Sequence, residues 1–212
     1  MGREFIDIFE DWAKEYDNSV TGQDPQYEAV FANYDIILDE VTNASCGNVL
    51  EFGVGTGNLT EKLLQAGYQV YGIEPSQAMR EIVNEKLPNL LVEDGDFLSF
   101  RKPKFQTDTI VSTYAFHHLT DIEKEVAVAQ FAEILPINGK VVFADTMFES
   151  EQVRDKIIMD ATENGFSDLV EDLNREYYPV TDYIKKIFEK NNFNISFKQM
   201  NDFVWLIIAN KE

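Results

Sequence analysis

Cysteine is nearly absent from this sequence: Cys46 is the single one in 212 residues. An internal disulfide is therefore excluded, and the chain reads as one for a reducing, cytoplasmic compartment. Basic residues are scarce, with 18 Lys and Arg against 38 Asp and Glu and a formal net charge of −20. Such a field repels nucleic-acid phosphates and anionic lipid headgroups, so neither nucleic acid nor a membrane is expected as a partner. No uninterrupted apolar run approaches the roughly 20 residues of a membrane span. The opening MGREFIDIFEDW carries charges through its only apolar start, which argues against a secretory signal. Ile6 stands where a myristoylation site needs Ser or Thr. Low-complexity tracts, internal repeats and linkers are missing, which leaves one domain over 1–212.

What is present is an alternation of helix and strand patterns. Asp24-Pro25 offers an N-cap followed by a proline at the first helical position, and apolar residues at helical spacing follow as far as Val41. A helix is expected over 24–44. Short apolar runs at 48–52, 68–74, 90–93, 107–113 and 140–145 read as five strands. Helices over 58–66, 76–86 and 121–135 separate them. The last of these starts at Thr120 with Glu123 three residues on, a capping box. NISFKQM and FVWLIIA, turned at Asn201-Asp202, read as a terminal hairpin. Five strands with crossover helices imply an α/β fold, a mostly parallel sheet of about seven strands with helices on both faces and an antiparallel hairpin at one edge. Residues 149–193 exceed one crossover helix. Two extra helices, about 150–164 and 167–176, are expected before a crossover helix at 181–191. They form either a cap over about 149–178 or padding on the sheet edge.

The loop EFGVGTGNLT, residues 51–60, follows the first strand. In an open α/β sheet a ligand binds at the carboxyl ends of the strands, and glycines there let it touch bare backbone. Glu74 ends the second strand, 17 residues after Gly57. A carboxylate there can accept both hydroxyl hydrogens of a ribose. The loop holds no Lys or Arg and is not a P-loop, which argues against a triphosphate. A dinucleotide and S-adenosylmethionine remain. The dinucleotide fingerprint G-x-G-x-x-G needs glycine at the sixth position, where this chain has Asn58 counting from Gly53 and Thr60 counting from Gly55. The motif present is G-x-G-x-G, preceded by the acid Glu51.

In this form the sequence resembles the class I S-adenosylmethionine-dependent methyltransferases. VLEFGVGTGNLT is similar to their first motif, and VYGIEPSQAM to the second-strand motif with its ribose acid. EDGDFLSF and DTIVSTYAFHHL look like the third-strand and fourth-strand motifs. The opening FEDWAKEYD also recurs there, on a helix that closes over the cofactor. The whole chain is similar to the YrrT-like group of bacterial methyltransferases. The resemblance implies a three-layer Rossmann-like fold, with N-terminal lid helices over about 3–44, and S-adenosylmethionine as cofactor. It places Gly53 and Gly55, in a loop closed by Gly57, against the methionine part of the cofactor. Glu74 would bind the ribose, Asp96 the adenine amino group with Phe97 beside the ring, and Glu51 would sit near the ammonium. Asp94 and Asp96 also suit a turn around Gly95, against which the adenine role of Asp96 is kept, and Phe97 could equally be a core residue.

Methyl transfer from a sulfonium is an in-line displacement, so much of the work is positioning. A base is needed only where the acceptor must lose a proton. Both histidines of the chain, His117 and His118, follow the fourth strand together with Tyr114. Adjacent residues point differently, so at most one faces a pocket there. That one is either a general base or a loop histidine bonded to backbone. No metal is expected, because two histidines lack the spaced cysteine or acid partners of a zinc site. Phe5, Phe9, Trp12 and Tyr16 recur at helical spacing. They make either a buried face or a lid whose Tyr16 touches the cofactor. The nucleobase-modifying N/D/S-P-P-Y/F/W motif is missing after the fourth strand. The expected activity is methyl transfer to a small-molecule acceptor (EC 2.1.1.-). A nicotinamide-dependent oxidoreductase and a non-catalytic S-adenosylmethionine-binding protein are the alternatives.

Overall fold

The computed structural model describes residues 5, 6, 10, 13, 20 and 24–212. From residue 34 the elements are α1 (Tyr34–Ala44), β1 (Asn48–Phe52), α2 (Asn58–Gln65), β2 (Gln69–Ile73), α3 (Gln77–Lys86), β3 (Leu91–Glu93) and β4 (Thr109–Thr113). After them come a short 3-10 turn (Phe116–His118), α4 (Asp121–Ile134), β5 (Lys140–Thr146), α5 (Glu151–Glu163), α6 (Ser167–Arg175), α7 (Thr181–Lys190), β6 (Phe193–Gln199) and β7 (Val204–Lys211). The sheet order is β3-β2-β1-β4-β5-β7-β6. All pairs are parallel except the two made by β7, which inserts between β5 and β6 and runs against both. Order reverses at β1, which pairs in parallel with β2 on one side and with β4 on the other.

Neighbouring strand residues bury against opposite layers, as the two-residue period of a strand requires. Leu50, Ile110, Val141 and Ile207 pack with Val128 and Phe131 of α4 and Ile184 and Phe188 of α7. Val49, Val111, Val142 and Leu206 pack on the other face with Ile37 and Val41 of α1, Leu59 and Leu63 of α2, and Leu169 and Leu173 of α6. Both faces are thus covered, which makes the sheet the middle of three layers.

Local signals hold at most boundaries. Thr120 and Glu123 close the expected capping box, a contribution of about 1 kcal/mol. Ser76 and Ser150 cap α3 and α5 with their side chains. The expected helix over 24–44 is shorter: residues 24–33 form successive turns, and α1 begins only at Tyr34. Asn33, at φ 65° and ψ 24°, is left-handed, and a right-handed helix cannot pass through it. The apolar residues of the turns still bury, Val30 and Phe31 among them. Phe9, Trp12 and Tyr16 lie outside the described residues, as does most of the expected lid before residue 24. Among the described residues no helix is long and apolar enough to cross a membrane.

Candidate active site

A cleft opens where β1 and β4 diverge at the carboxyl edge of the sheet. It encloses about 730 Å³ of space between atoms, with the open solvent at its mouth included. Gly53, Gly55, Glu74, Asp96 and Phe97 line it at the β1–β3 side. Thr113, Tyr114, Ala115, His118 and Leu119 line it at the β4 side. The three glycines of the loop do different work. Gly53 and Gly55 have φ of 69° and 56° and line the cleft. A Cβ on Gly55 would meet nothing within 4 Å, so the missing side chain leaves open space at the loop. Gly57 lies outside the lining residues. It caps α2 at φ 85°, and a Cβ there would come within 2.6 Å of Val83 on α3.

Glu74 follows β2 and is 5% exposed. Its two carboxylate oxygens accept from the backbone N–H of Gly55 and of Ser76, each at 2.8 Å. Burial pushes its carboxyl up to about 7, against the lowering effect of those two N–H groups. Glu74 therefore both faces the cleft and braces the glycine loop. Asp96 Oδ1 accepts from Leu98 N at 2.9 Å and Ser99 N at 2.8 Å. It is a turn-former and a cleft wall at once. Phe97 likewise serves twice: it lines the cleft and stacks on Phe52 at 4.9 Å. Glu51 is elsewhere. It is buried beneath the loop, accepts from Thr60 Oγ1 at 2.7 Å and is not a lining residue. Burial pushes its carboxyl up to about 8.

Tyr114, at φ 52°, turns the chain sharply out of β4. Its hydroxyl is buried and finds no hydrogen-bond partner among the described residues. Its ring packs 5.2 Å from Phe31 and 5.6 Å from Tyr34. The next residues are held by Asp145, near the end of β5, which sequence reasoning passed over although it ends the run KVVFAD. Asp145 Oδ2 accepts from Ala115 N at 3.1 Å and Phe116 N at 2.6 Å, while Oδ1 meets His117 Nδ1. His117 Nε2 lies 3.2 Å from Glu176 Oε2, beyond the end of α6. Burial disfavours the charged ring, but Asp145 and Glu176 outweigh it and hold His117 up at about 9. His118 is the cleft-facing member of the pair. Burial, with the neighbouring His117 charge, lowers it to about 3. Lys124, fully buried on α4, donates to the carbonyls of Leu119 and Tyr177 and so ties the same two segments together. Glu176 and Lys124 carried no local signal in the sequence, since neither belongs to a motif.

The N-terminal segment reaches this edge too. Ile6 lines the cleft, and Phe5 packs 5.3 Å from the His118 ring. Glu10 accepts from Gln77 N at 2.7 Å, at the start of α3. The helices expected as a cap lie differently. α6 packs on the 24–33 turns, through Tyr27 on Asp172 and Gln26 on Asp168. None of the described cleft-lining residues comes from 149–178.

A family model described as a methyltransferase domain matches residues 23–196. This chain belongs to the class I S-adenosylmethionine-dependent methyltransferases. An uncharacterized methyltransferase of Oceanobacillus iheyensis is 61% identical over 211 residues, covering 100% of this chain and 99% of that protein. One from Bacillus mycoides is 54% identical over the full length of both. Among solved structures, a possible histamine N-methyltransferase of Thermotoga maritima superposes with a TM-score of 0.68 at 18% identity. That match covers 98% of this chain and 99% of the other. Magnesium protoporphyrin IX methyltransferase of Synechocystis, solved with S-adenosylmethionine, gives 0.64 at 16% identity over 88% and 84%. The family's cofactor is S-adenosylmethionine, and the residues of the cleft fit it. Bare glycine backbone, a ribose-competent carboxylate at Glu74 and an apolar wall at Phe97 are the features an adenosyl ligand needs.

Proposed function

We propose that this methyltransferase acts on a small-molecule acceptor, in the cytoplasm, with the acceptor entering the cleft at its β4 end. The carrying observation is the division of the cleft. Glycine backbone, Glu74 and Asp96 stand at one side, and Tyr114 and His118 at the other. In this reading Glu74 takes the ribose hydroxyls in place of its bonds to Gly55 and Ser76. Asp96 and Phe97 hold the adenine, and Gly53 and Gly55 face the methionine part. Glu51 supports the loop through Thr60 and leaves the ammonium to other groups. The room beside Tyr114 and His118 favours an enzyme over a protein that only binds the cofactor. His118 is neutral at physiological pH and resists a second proton. It therefore orients the acceptor through a hydrogen bond and does not carry the proton away. The acidic surface supports an acceptor other than nucleic acid.

Calorimetry with S-adenosylhomocysteine and with NADH, followed by a screen of cell metabolites with methyl-labelled cofactor, tests this. Heat from S-adenosylhomocysteine alone and label in a small metabolite are expected. Heat from NADH alone would favour an oxidoreductase. Label appearing only in protein or nucleic acid would refute the small-molecule acceptor.

A further inference from the structure

Glu176 faces both histidines at spacings that a bound ion can bridge. Its Oε2 lies 3.2 Å from His117 Nε2, and its Oε1 lies 3.8 Å from His118 Nδ1. A charge-assisted N–H···O bond closes to about 2.7–2.9 Å. Two ligands on a tetrahedral zinc, each bound at about 2.0–2.1 Å, stand about 3.3 Å apart. One ligand atom from each of the three residues fits within 4.8 Å of the others.

The surroundings match those of a built metal site. Asp145 takes Nδ1 of His117 and so turns Nε2 toward Glu176, the carboxylate support that metal-bound imidazoles use to fix tautomer and orientation. Tyr178 donates its hydroxyl to Glu176 and stacks its ring on His117 at 4.8 Å, 18° from parallel. The three side chains are 7–11% exposed, so the ligands are held by packing before any ion arrives. Two imidazoles and one carboxylate select zinc and its first-row neighbours over magnesium or calcium.

We propose that His117, His118 and Glu176 form a binding site for a divalent first-row transition ion, with Asp145 and Tyr178 as its supports. Three protein ligands leave a fourth position for water or another ligand. His118 is both ligand and cleft wall. The ion therefore sits behind the acceptor end of the cleft and clamps the loop after β4 to the segment after α6. The site stands on its own geometry and does not depend on which acceptor the enzyme uses.

The full-length protein, free of any tag and stripped with a chelator, is titrated with Zn²⁺ by calorimetry and equilibrium dialysis. One ion per chain is expected, with at least tenfold weaker binding in Glu176→Gln and in His118→Asn. S-adenosylhomocysteine titrations of the same samples show whether each variant is folded, because Glu74 and Asp96 lie at the opposite end of the cleft. The wild-type chain loaded with Co²⁺ provides a readout that needs no variant. Strong visible ligand-field bands of low-coordinate cobalt are expected. Less than stoichiometric zinc, absence of those bands, or folded variants that bind zinc as well as the wild type would each overturn the site.

Discussion

At the β1–β3 end of the cleft, Asp96 turns on Leu98 and Ser99, two and three residues ahead, and Glu74 reaches back to Gly55. At the β4 end, His117 is held by Asp145 from the next strand and by Glu176 from beyond α6, with Lys124 closing the group from α4. The first end is made of contacts within and between consecutive βα units, most of them from a carboxylate to backbone N–H groups. The second is a buried charged network assembled from four segments. Contacts of the first kind can be altered singly, whereas removing one member of the second leaves its partners charged and buried.

Asp145→Ala is the severest break. It strands His117 and the amides of Ala115 and Phe116, and breaking a buried pair in this way costs about 3–5 kcal/mol. Urea unfolding measures it, and a loss below about 1 kcal/mol would show that the β4 end is not a coupled unit. Glu74→Ala acts on binding instead. Affinity for S-adenosylhomocysteine should fall roughly tenfold to a hundredfold, from about 1.5–3 kcal/mol of lost hydrogen bonding to a charged group. Calorimetry that finds the affinity unchanged removes Glu74 from the site, and a larger loss in Asp96→Ala than in Glu74→Ala would reverse their ranking.

The glycine loop allows a finer comparison. Gly57→Ala puts a methyl against Val83 and should lower stability by about 1–3 kcal/mol. Gly55→Ala points its methyl into open space, so its loss of cofactor affinity should exceed its loss of stability. Equal thermal shifts for the two, with equal cofactor affinity, would erase the distinction.

The smallest effect sought is a change of pH dependence in Glu51→Gln. Burial raises the Glu51 carboxyl from its ordinary 4.5 to about 8, so the folded state binds that proton more tightly than the unfolded one. The cost of ionising it is absent below the ordinary value, grows through this window and is complete above it. Glutamine keeps an acceptor for Thr60 without the charge. The variant should melt a few degrees above wild type near pH 8, at about 2–4 °C per kcal/mol, and level with it near pH 5. A gain of the same size at both pH values would mean that folding does not raise the Glu51 carboxyl above its ordinary range.

The contrast between the two ends also sorts what could be read from the residues in order. Most strands and helices after residue 44 lie within a few positions of their expected bounds, because periodicity, Ser and Thr caps and turn glycines act over a few residues. The turns at 24–33 were not legible. Their apolar spacing is helical, and only the left-handed Asn33 ends the pattern. The glycine loop, Glu74, Asp96 and Phe97 were legible as a group because the βα units that carry them are consecutive in the chain.

The amino-acid order by itself determined the alternating α/β architecture, the glycine loop after β1 and the acid after β2, since each depends on neighbours within one supersecondary unit. Only the tertiary structure decided which histidine faces the cleft, that Glu51 supports the loop from below, and that Gly57 serves α3. It alone brought Asp145, Glu176 and Lys124 together around the loop after β4. Those assignments depend on burial and on the register between distant segments. Burial fixes the charge state of each group, and packing of α4, β5 and the segment after α6 fixes its partner.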